Sequence, residues 1–370
     1  MKAAIITGAN GFIGSHILFR LLAQGWHVLA LGRSTEAGRW EERVLAALQQ
    51  VGTVKGLPGL LEFHEVDLRS PEQSLAPAIS RGSSATEPIL IHVAGDTRFK
   101  PADPEAQRRV NVQAPLNLVS ALKGRIRRMV HVSTAYVAGK RTGLIRETDL
   151  DRGQQFWNSY ERSKFDAEIA LTQLCREEDV PLVILRPAII INDRQSGQAS
   201  TFTHLNALVE VVSRLQDYYG LSDGQVVSKT IRLMADPDAR PNLAPVDSIV
   251  PPLLQIAESD DAAGKAFHLC HPQPQTNGEI MRLICEAYGV SSQLALEFVE
   301  RLSAPISHTE EMVVRSLRVY SPYLNSRLEF DVSNSRTIVP DYDSNFSPLD
   351  CRLEGKVSQS RTLFTIHSEK

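Results

Sequence analysis

The sequence predicts an α/β fold built on a doubly wound parallel sheet, and three observations support this. An apolar run of strand length at residues 2–7 leads into a glycine-rich turn, Gly8–Gly14. A helical apolar pattern follows at residues 17–22. Short apolar segments then alternate with helical ones as far as Pro187. This alternation is typical of parallel strands that are covered by helices on both faces.

The remaining elements follow in chain order. Strands are predicted at 27–31, 60–66, 89–93, 129–132 and 182–185, and helices at 40–51, 104–122 and 160–176. Beyond Pro187 the alternation becomes irregular, with further strands expected at 226–233 and 266–269. We therefore expect a Rossmann-type nucleotide-binding domain at residues 1–190, with interleaved later strands around 226–250. Residues 191–370 are expected to form a smaller, mostly C-terminal substrate-binding lobe and a tail.

The composition excludes several classes of protein. The chain has 370 residues and a formal charge of −3, so neither nucleic acid nor an anionic membrane surface is an expected partner. The four cysteines are scattered without a C-x-x-C pair, which favours buried thiols over a disulfide framework or a metal site. Because no signal peptide and no transmembrane-length apolar run is visible, we expect a cytoplasmic protein without stable membrane insertion.

The glycine-rich turn predicts a dinucleotide site, although an ordinary glycine-rich β–α turn is the alternative. Gly8 permits a tight turn, Gly11 lets the backbone approach a phosphate, and Gly14 lets the helix pack close to the strand. The free N–H groups at the helix start then face a pyrophosphate. The cofactor-binding residues predicted here are Gly8, Asn10, Gly11, Phe12, Ile13 and Gly14.

The ends of the second and third strands indicate which nucleotide is bound. An acid that would bond the ribose 2′-hydroxyl of NAD is missing after the second strand. Arg33 and Ser34 stand there instead and can hold the 2′-phosphate of NADP, unless Arg33 only opens a surface loop. Asp67, followed by Leu68, can accept a hydrogen bond from adenine, or it can cap the next helix.

The fourth strand adds small residues and one amide. Val93, Ala94 and Gly95 end this strand and let a cofactor lie against the backbone. Asn111, in the following helix, can bond main chain there and hold the sheet together.

Tyr160 and Lys164 carry the predicted chemistry. Four residues apart, they share one helix face. The ammonium is expected to lower the pKa of the phenol and to bond the nicotinamide ribose. Thr134 or Ser133, at the end of the fifth strand, can bond a substrate oxygen while Tyr160 gives it a proton.

Several motifs together resemble an extended short-chain dehydrogenase/reductase. They are T-G-A-N-G-F-I-G at 7–14, H-V-A-G at 92–95, V-S-T-A-Y-V at 132–137, Y-E-R-S-K at 160–164 and L-R-P at 185–187. By this resemblance Thr134, Tyr160 and Lys164 match the catalytic triad, with Ser133 as the weaker candidate hydroxyl. Pro187 and Ile189 match the segment that passes the nicotinamide.

A narrower resemblance is to the fatty acyl-CoA reductase, or male-sterility, and thioester reductase branch. It rests on H-V-A-G-D-T-R-F at 92–99, V-N-V-Q-A-P at 110–115 and L-A-P-V-D at 243–247. The resemblance implies an NADPH-dependent reductase of a fatty acyl-CoA or acyl-carrier protein thioester, giving an aldehyde, with alcohol as an open second step. The alternatives are a ketone or hydroxysteroid-type reductase, a sugar-nucleotide epimerase or dehydratase, and a non-enzymatic NADP-binding regulator. A homodimer is left open.

Overall fold

The computed structural model describes residues 1–69, 87–191, 193, 204–221, 230–347 and 349. The chain divides into two compact units. Unit 1 draws on residues 1–198, 244–272 and 330–345, and unit 2 on the remaining segments. Unit 1 is therefore assembled from three separate stretches of the sequence.

Unit 1 is organised around a seven-stranded sheet in the order β3-β2-β1-β4-β5-β7-β11, with every neighbouring pair parallel. Its strands are β1 (Ala3–Thr7), β2 (His27–Gly32), β3 (Leu60–Glu65), β4 (Ile89–His92), β5 (Arg128–Val132), β7 (Leu182–Pro187) and β11 (Lys265–Leu269). Short strands outside it are β6 (Gly143–Ile145), β8 (Ile189–Ile191), β10 (Leu243–Pro245) and β13 (Leu328–Phe330), of which β10 and β13 span the sequence boundaries between the two units. The strand order reverses between β1 and β4, which opens a crevice at the carboxyl ends of these strands.

Helices flank this sheet. They are α1 (Phe12–Ala23), α2 (Trp40–Val51), α3 (Pro104–Arg108), α4 (Ala114–Leu122), α5 (Ser159–Glu177), α7 (Val246–Glu258) and α11 (Ser333–Ile338). A π-helical turn, Arg109–Gln113, joins α3 to α4, and 3₁₀ turns lie at Ala135–Ala138, Asp260–Ala262 and Tyr342–Asn345. Leu118 of α4 and Leu171 of α5 pack in one buried cluster with Ile5, Leu90 and Met129 of the sheet. The predicted Rossmann-type doubly wound sheet is confirmed.

Unit 2 contains a two-stranded sheet and helices. Its elements are α6 (His204–Tyr219), β9 (Ile231–Met234), α8 (Asn277–Ala287), β12 (Leu296–Val299), α9 (His308–Leu317) and α10 (Ser321–Leu324). β9 pairs with β12 in parallel, and Arg232 of β9 forms an ion pair with Glu310 at the start of α9. In the described part of the chain, none of the helices is long and apolar enough to cross a membrane.

The interleaving of the two units differs from the expectation. The strand predicted at 226–233 lies, in its described part, at Ile231–Met234 and pairs with β12 instead of joining the large sheet; positions 226–229 lie outside the described residues. Its burial alternates along the strand, whereas β4 and β5 are buried throughout, and alternation marks a strand with one polar face. The later segments that belong to unit 1 are 244–272 and 330–345, so the interval expected around 226–250 belongs to unit 1 only from residue 244 onward.

The cysteine prediction concerns three described residues. Cys175, Cys270 and Cys285 are buried free thiols, as expected. Cys351 lies outside the described residues.

Candidate active site

The glycine turn brings β1, α1 and the end of β4 into close contact. Gly8 has a left-handed φ of 72°, and a Cβ there would lie 2.6 Å from the Ala94 backbone nitrogen. A Cβ on Gly14 would lie 2.0 Å from the Gly8 carbonyl oxygen. Gly11 caps α1 without a side-chain acceptor, so among the described residues the cap makes no side-chain hydrogen bond to the first turn. This arrangement fits a pyrophosphate against Asn10, Phe12 and Ile13 of the same turn.

Arg33, Ser34 and Asp67 meet beyond the ends of β2 and β3. The Ser34 amide donates to the Glu65 carboxylate at 2.7 Å, and its hydroxyl accepts from the Trp40 amide at 3.0 Å. Arg33 Nη1 lies 3.7 Å from Asp67 Oδ2, and the Arg33 side chain is half exposed. The structure thus brings together a cation, a hydroxyl and a carboxylate that the sequence had suggested separately.

Arg43, in the first half of α2, was missed by the sequence analysis. Its guanidinium lies over the Trp40 ring at 5.7 Å and donates to Thr35 Oγ1 at 2.5 Å and to the Arg33 carbonyl at 3.4 Å. Its Nε is buried and has no hydrogen-bond partner among the described residues. The available signal was a second arginine in the helix that follows Arg33 and Ser34.

The Asp67 carboxylate is held by its own loop. Arg69 donates to it from the backbone at 3.0 Å and from the side chain, and this hydrogen bonding lowers the pKa of Asp67 to about 2. Leu68, between them, is partly buried against the sheet core. Asp67 therefore makes a local turn contact, and residues 70–86, where the next helix was considered, lie outside the described residues.

Asn111 ties three segments together from the π-helical turn. Its Oδ1 accepts from the Asp96 amide at 2.7 Å, while its Nδ2 donates to the Asp96 carbonyl at 2.9 Å and to Ser163 Oγ at 2.9 Å. Asn111 thus bonds main chain at Asp96, in the loop that follows β4, and it also bonds Ser163 of α5. Since Ser163 precedes Lys164, Asn111 fixes the loop that carries Val93, Ala94 and Gly95 relative to the lysine.

Lys164 and Tyr160 lie in the first two turns of α5. This helix begins at an Asn158 cap, which accepts from the Glu161 amide at 2.9 Å. Lys164 is buried, and its Nζ donates to the Val132 carbonyl at 2.7 Å and to His131 Nε2 at 3.2 Å. The half-buried Tyr160 ring lies 6.4 Å from the Phe99 ring in a stacked arrangement.

The protonation states differ from the expectation. Burial, and the nearby Glu161 carboxylate, raise the pKa of Tyr160, so the expectation that Lys164 lowers it is wrong. The lysine directs its hydrogen bonds to β5 instead. Burial lowers the pKa of Lys164 to about 8, against the opposing charge of Glu168. At neutral pH the phenol therefore keeps its proton while the amine carries its charge.

The two candidate hydroxyls at the end of β5 have different partners. Thr134 Oγ1 accepts from the Tyr136 amide at 3.3 Å, which caps the following 3₁₀ turn. Ser133 Oγ is buried and has no hydrogen-bond partner in the described part of the chain. Its amide donates to the Leu185 carbonyl of β7. Pro187 ends β7 and Ile189 begins β8.

His92 and His131 lie next to each other close to Lys164, and they were not recognised as a pair from the sequence. The rings of His92 and His131 stack at 5.6 Å with an interplanar angle of 13°, and His92 Nδ1 lies 2.8 Å from Thr7 Oγ1. Both rings are fully buried at the carboxyl ends of β4 and β5. The signal was a histidine at the same level of two strands that pair in register.

Comparison with known proteins identifies relatives of this arrangement. The profile of a family described as "Male sterility protein" matches residues 6–250. The chain is 25% identical over 326 residues to the non-canonical nonribosomal peptide synthetase FrzA of Cladobotryum sp, which covers 81% of this chain and 29% of that protein. The chain spans less than a third of the first curated relatives it matches.

Two solved structures share the fold. The terminal R domain of the myxalamid PKS-NRPS biosynthetic pathway superposes with a TM-score of 0.74 at 20% identity, covering all of this chain and 93% of that one. A thiolation-reductase di-domain from an archaeal nonribosomal peptide synthetase superposes with a TM-score of 0.71 at 15% identity, covering 98% and 90%.

Proposed function

Because the chain belongs to the male sterility protein family, a branch of the extended short-chain dehydrogenases/reductases, we propose that it is an NADPH-dependent reductase of acyl thioesters. The product is an aldehyde. One observation supports the assignment of roles, namely the hydrogen bond from Lys164 Nζ to the Val132 carbonyl, which joins the helix that carries Tyr160 to the strand end that carries Ser133 and Thr134. A protonated donor is what a carbonyl reduction needs as charge develops on oxygen.

The cofactor fits the residues present. The α1 N-terminus, whose Gly11 cap makes no side-chain hydrogen bond in the described part of the chain, would hold the pyrophosphate. Arg33, Arg43 and Ser34 would hold a 2′-phosphate through two guanidinium groups and a hydroxyl. Val93, Ala94 and Gly95 would lie along the nucleotide, and Pro187 and Ile189 beside the nicotinamide. We therefore favour NADPH over NADH.

The chain's own residues account for the remaining chemistry. When bound, the nicotinamide supplies a hydride to the thioester carbonyl carbon. Thr134 and Ser133 donate hydrogen bonds to the carbonyl oxygen, and Tyr160 gives it a proton. Lys164 keeps a positive charge beneath the site and bonds the ribose. As the C–S bond of the tetrahedral product breaks, its hydroxyl returns a proton to Tyr160, the departing thiolate takes a proton from solvent, and the aldehyde is left.

The carrier of the acyl group is proposed to be a carrier protein. The relatives that support this are nonribosomal peptide synthetases, and one structural neighbour contains a thiolation domain fused to a reductase. In such a partner the thioester is presented on a long flexible arm, so the substrate is the arm and its acyl group together. A second reduction, of the aldehyde to an alcohol, uses the same residues.

The test is product identification with matched substrates. The chain is incubated with NADPH and the same acyl group on coenzyme A, on a carrier protein, as the free aldehyde, and as a methyl ketone, with a UDP-sugar as a fifth substrate. We expect aldehyde from the carrier-bound thioester, with one NADPH consumed for each thiol released and a second NADPH consumed for each aldehyde that is reduced to the alcohol. Turnover of the ketone or the UDP-sugar, with no aldehyde from either thioester, would replace this proposal with the corresponding rival.

A further inference from the structure

A continuous line of contacts runs from the first strand to the candidate lysine. Thr7 Oγ1 lies 2.8 Å from His92 Nδ1, the His92 ring stacks on the His131 ring, and His131 Nε2 lies 3.2 Å from Lys164 Nζ. All four side chains are buried. Thr7 also accepts from the Ala94 amide at 3.3 Å, which fixes its hydroxyl in place. The imidazole of His131 is thus held on one side by a fixed ring.

We propose that His131 is a positioning residue for Lys164. Its neutral imidazole accepts a hydrogen bond from the ammonium and, backed by the stacked His92 ring, holds Nζ at the carboxyl end of β5. The proposal rests on the proposed function only in giving Lys164 a role with the cofactor. An ammonium has no acceptor, so Nζ is the donor and His131 carries its own proton on Nδ1.

The Lys164 ammonium has three protons to donate, and two of them are accepted by groups on β5. The Val132 carbonyl accepts one Nζ proton at 2.7 Å, and His131 accepts another. The third is left for a ligand in the crevice. With His131 in place, two of the three donors are directed into the sheet, and the ammonium has a single orientation.

The neighbouring charges identify His131 as the group to vary. From the sheet, His131 and His92 face the lysine, and the Lys164 charge contributes to lowering the pKa of both rings, with burial as the larger cause. On α5 itself, Glu168 favours the ammonium but is paired with Arg186 of β7, and Tyr160 keeps its proton. Arg108 of α3 is paired with Asp166.

Removing the acceptor therefore has a defined direction. A hydrogen bond accepted from Nζ stabilises the charged amine, so its loss lowers the pKa of Lys164 further below about 8. The alkaline limb of the pH profile, where the ammonium is lost, then moves to lower pH. Simple packing of the ring would produce no such shift.

The experiment compares His131→Phe, which keeps a ring but removes the acceptor, with His131→Gln, which restores an acceptor at that reach. The control is His268→Phe. His268 is another buried histidine; it lies on β11, two strands away from β5, and its Nδ1 bonds the Asp331 carbonyl. In full-length protein labelled with ¹³Cε-lysine, the Lys164 resonance is assigned by its loss in Lys164→Arg and titrated by NMR. The pH profile of NADPH binding is measured in parallel, which needs no acyl substrate.

We expect the Lys164 titration to fall by about one pH unit in His131→Phe, and to return toward the wild-type value in His131→Gln. His268→Phe leaves it unchanged. An unshifted titration in a folded His131→Phe would overturn the proposal.

If that variant does not fold, the ¹⁵N chemical shifts of His131 in the unaltered protein, assigned by their loss in His131→Gln, provide the test. Protonated Nδ1 with bare Nε2 supports the proposal, and protonated Nε2 overturns it. A failed thioester assay affects neither measurement.

Discussion

At the scale of single residues, the candidate site separates two protonation states within one helical turn. Burial acts on both groups in the direction of neutrality, so it protects the proton of Tyr160 and weakens that of Lys164. A proton donor and a removable positive charge therefore stand side by side. The sequence singled out both residues, but it misjudged the direction of the tyrosine pKa shift, because Lys164 directs its hydrogen bonds to β5 and burial is the largest effect at Tyr160.

The first residue-scale prediction concerns the proton donor. Tyr160→Phe keeps the ring against Phe99 and removes only the hydroxyl. We expect turnover to fall by about 10²–10⁴-fold, the range for losing a positioned acid, with the NADPH dissociation constant nearly unchanged. Steady-state kinetics and cofactor titration check this, with a melting curve to verify folding. Near-normal turnover in the folded variant would remove Tyr160 from the mechanism.

The second residue-scale prediction concerns cofactor choice. Arg33→Ala and Arg43→Ala should each raise the dissociation constant for NADPH about ten- to a hundred-fold and leave that for NADH nearly unchanged, since each loses a charged contact to the 2′-phosphate. Arg39→Ala is the control, because this exposed arginine of the same loop pairs only with Glu41 among the contacts described. Equal affinity of the unaltered protein for the two cofactors would contradict the assignment.

At the scale of elements, a buried ion pair fixes α5 to β7. Arg186 donates through Nε and Nη2 to Glu168 and through Nη1 to the carbonyls of Glu147 and Asp149. Both partners of the pair are almost inaccessible to water. Because α5 carries Tyr160 and Lys164, this contact helps to set the position of the helix on the sheet.

The prediction at this scale is that Arg186→Met lowers the free energy of unfolding by about 3–5 kcal/mol, since it leaves the Glu168 carboxylate buried without a countercharge. The double variant Arg186→Met/Glu168→Met should recover much of that loss. Arg162→Met, which removes a surface partner of Asp166 on the same helix, serves as the control and should cost about 1 kcal/mol or less. Urea denaturation measures all three, and a double variant no better than the single one would refute the explanation.

The strands of the large sheet show which elements an apolar sequence pattern can predict. The strands of the large sheet were predicted because buried parallel strands appear as continuous apolar runs, as in β4 and β5. The helix at 104–122 was predicted, but its π-helical turn was not, because a segment of five residues is too short to show a period of its own. That turn is where Asn111 makes its three hydrogen bonds, two to Asp96 and one to Ser163.

At the scale of the whole molecule, unit 1 is completed by a segment that the sequence analysis left without a role. Tyr342 is fully buried, its hydroxyl accepts from the Cys270 amide at 2.8 Å, and it lies within bonding distance of the His268 carbonyl. Ser335 donates to the same carbonyl at 2.8 Å. Such contacts join positions more than sixty residues apart, and no local periodicity encodes them.

The prediction at this scale is that Tyr342→Ala lowers the free energy of unfolding by about 3–5 kcal/mol, because it empties a packed site and leaves the Cys270 amide unpaired. The substitution should also make Cys270 react faster with a thiol-modifying reagent. Tyr218→Ala, at an exposed tyrosine, is the control. Mass spectrometry of the labelled peptides gives the rates. Unchanged labelling together with unchanged stability would mean that residues 330–345 do not hold the edge of the sheet.

The return of residues 330–345 to unit 1 has a consequence for how the protein is made. The strands of the large sheet leave the ribosome early. Residues 330–345, which cover the edge strand β11 of that sheet, emerge only after residues 273–329 of unit 2. During that interval the growing chain carries a nearly finished sheet with one uncovered edge, a surface on which nascent chains can pair wrongly. Slow synthesis over residues 270–345 would prolong this exposure, and a chaperone that binds unpaired strands would find its target there.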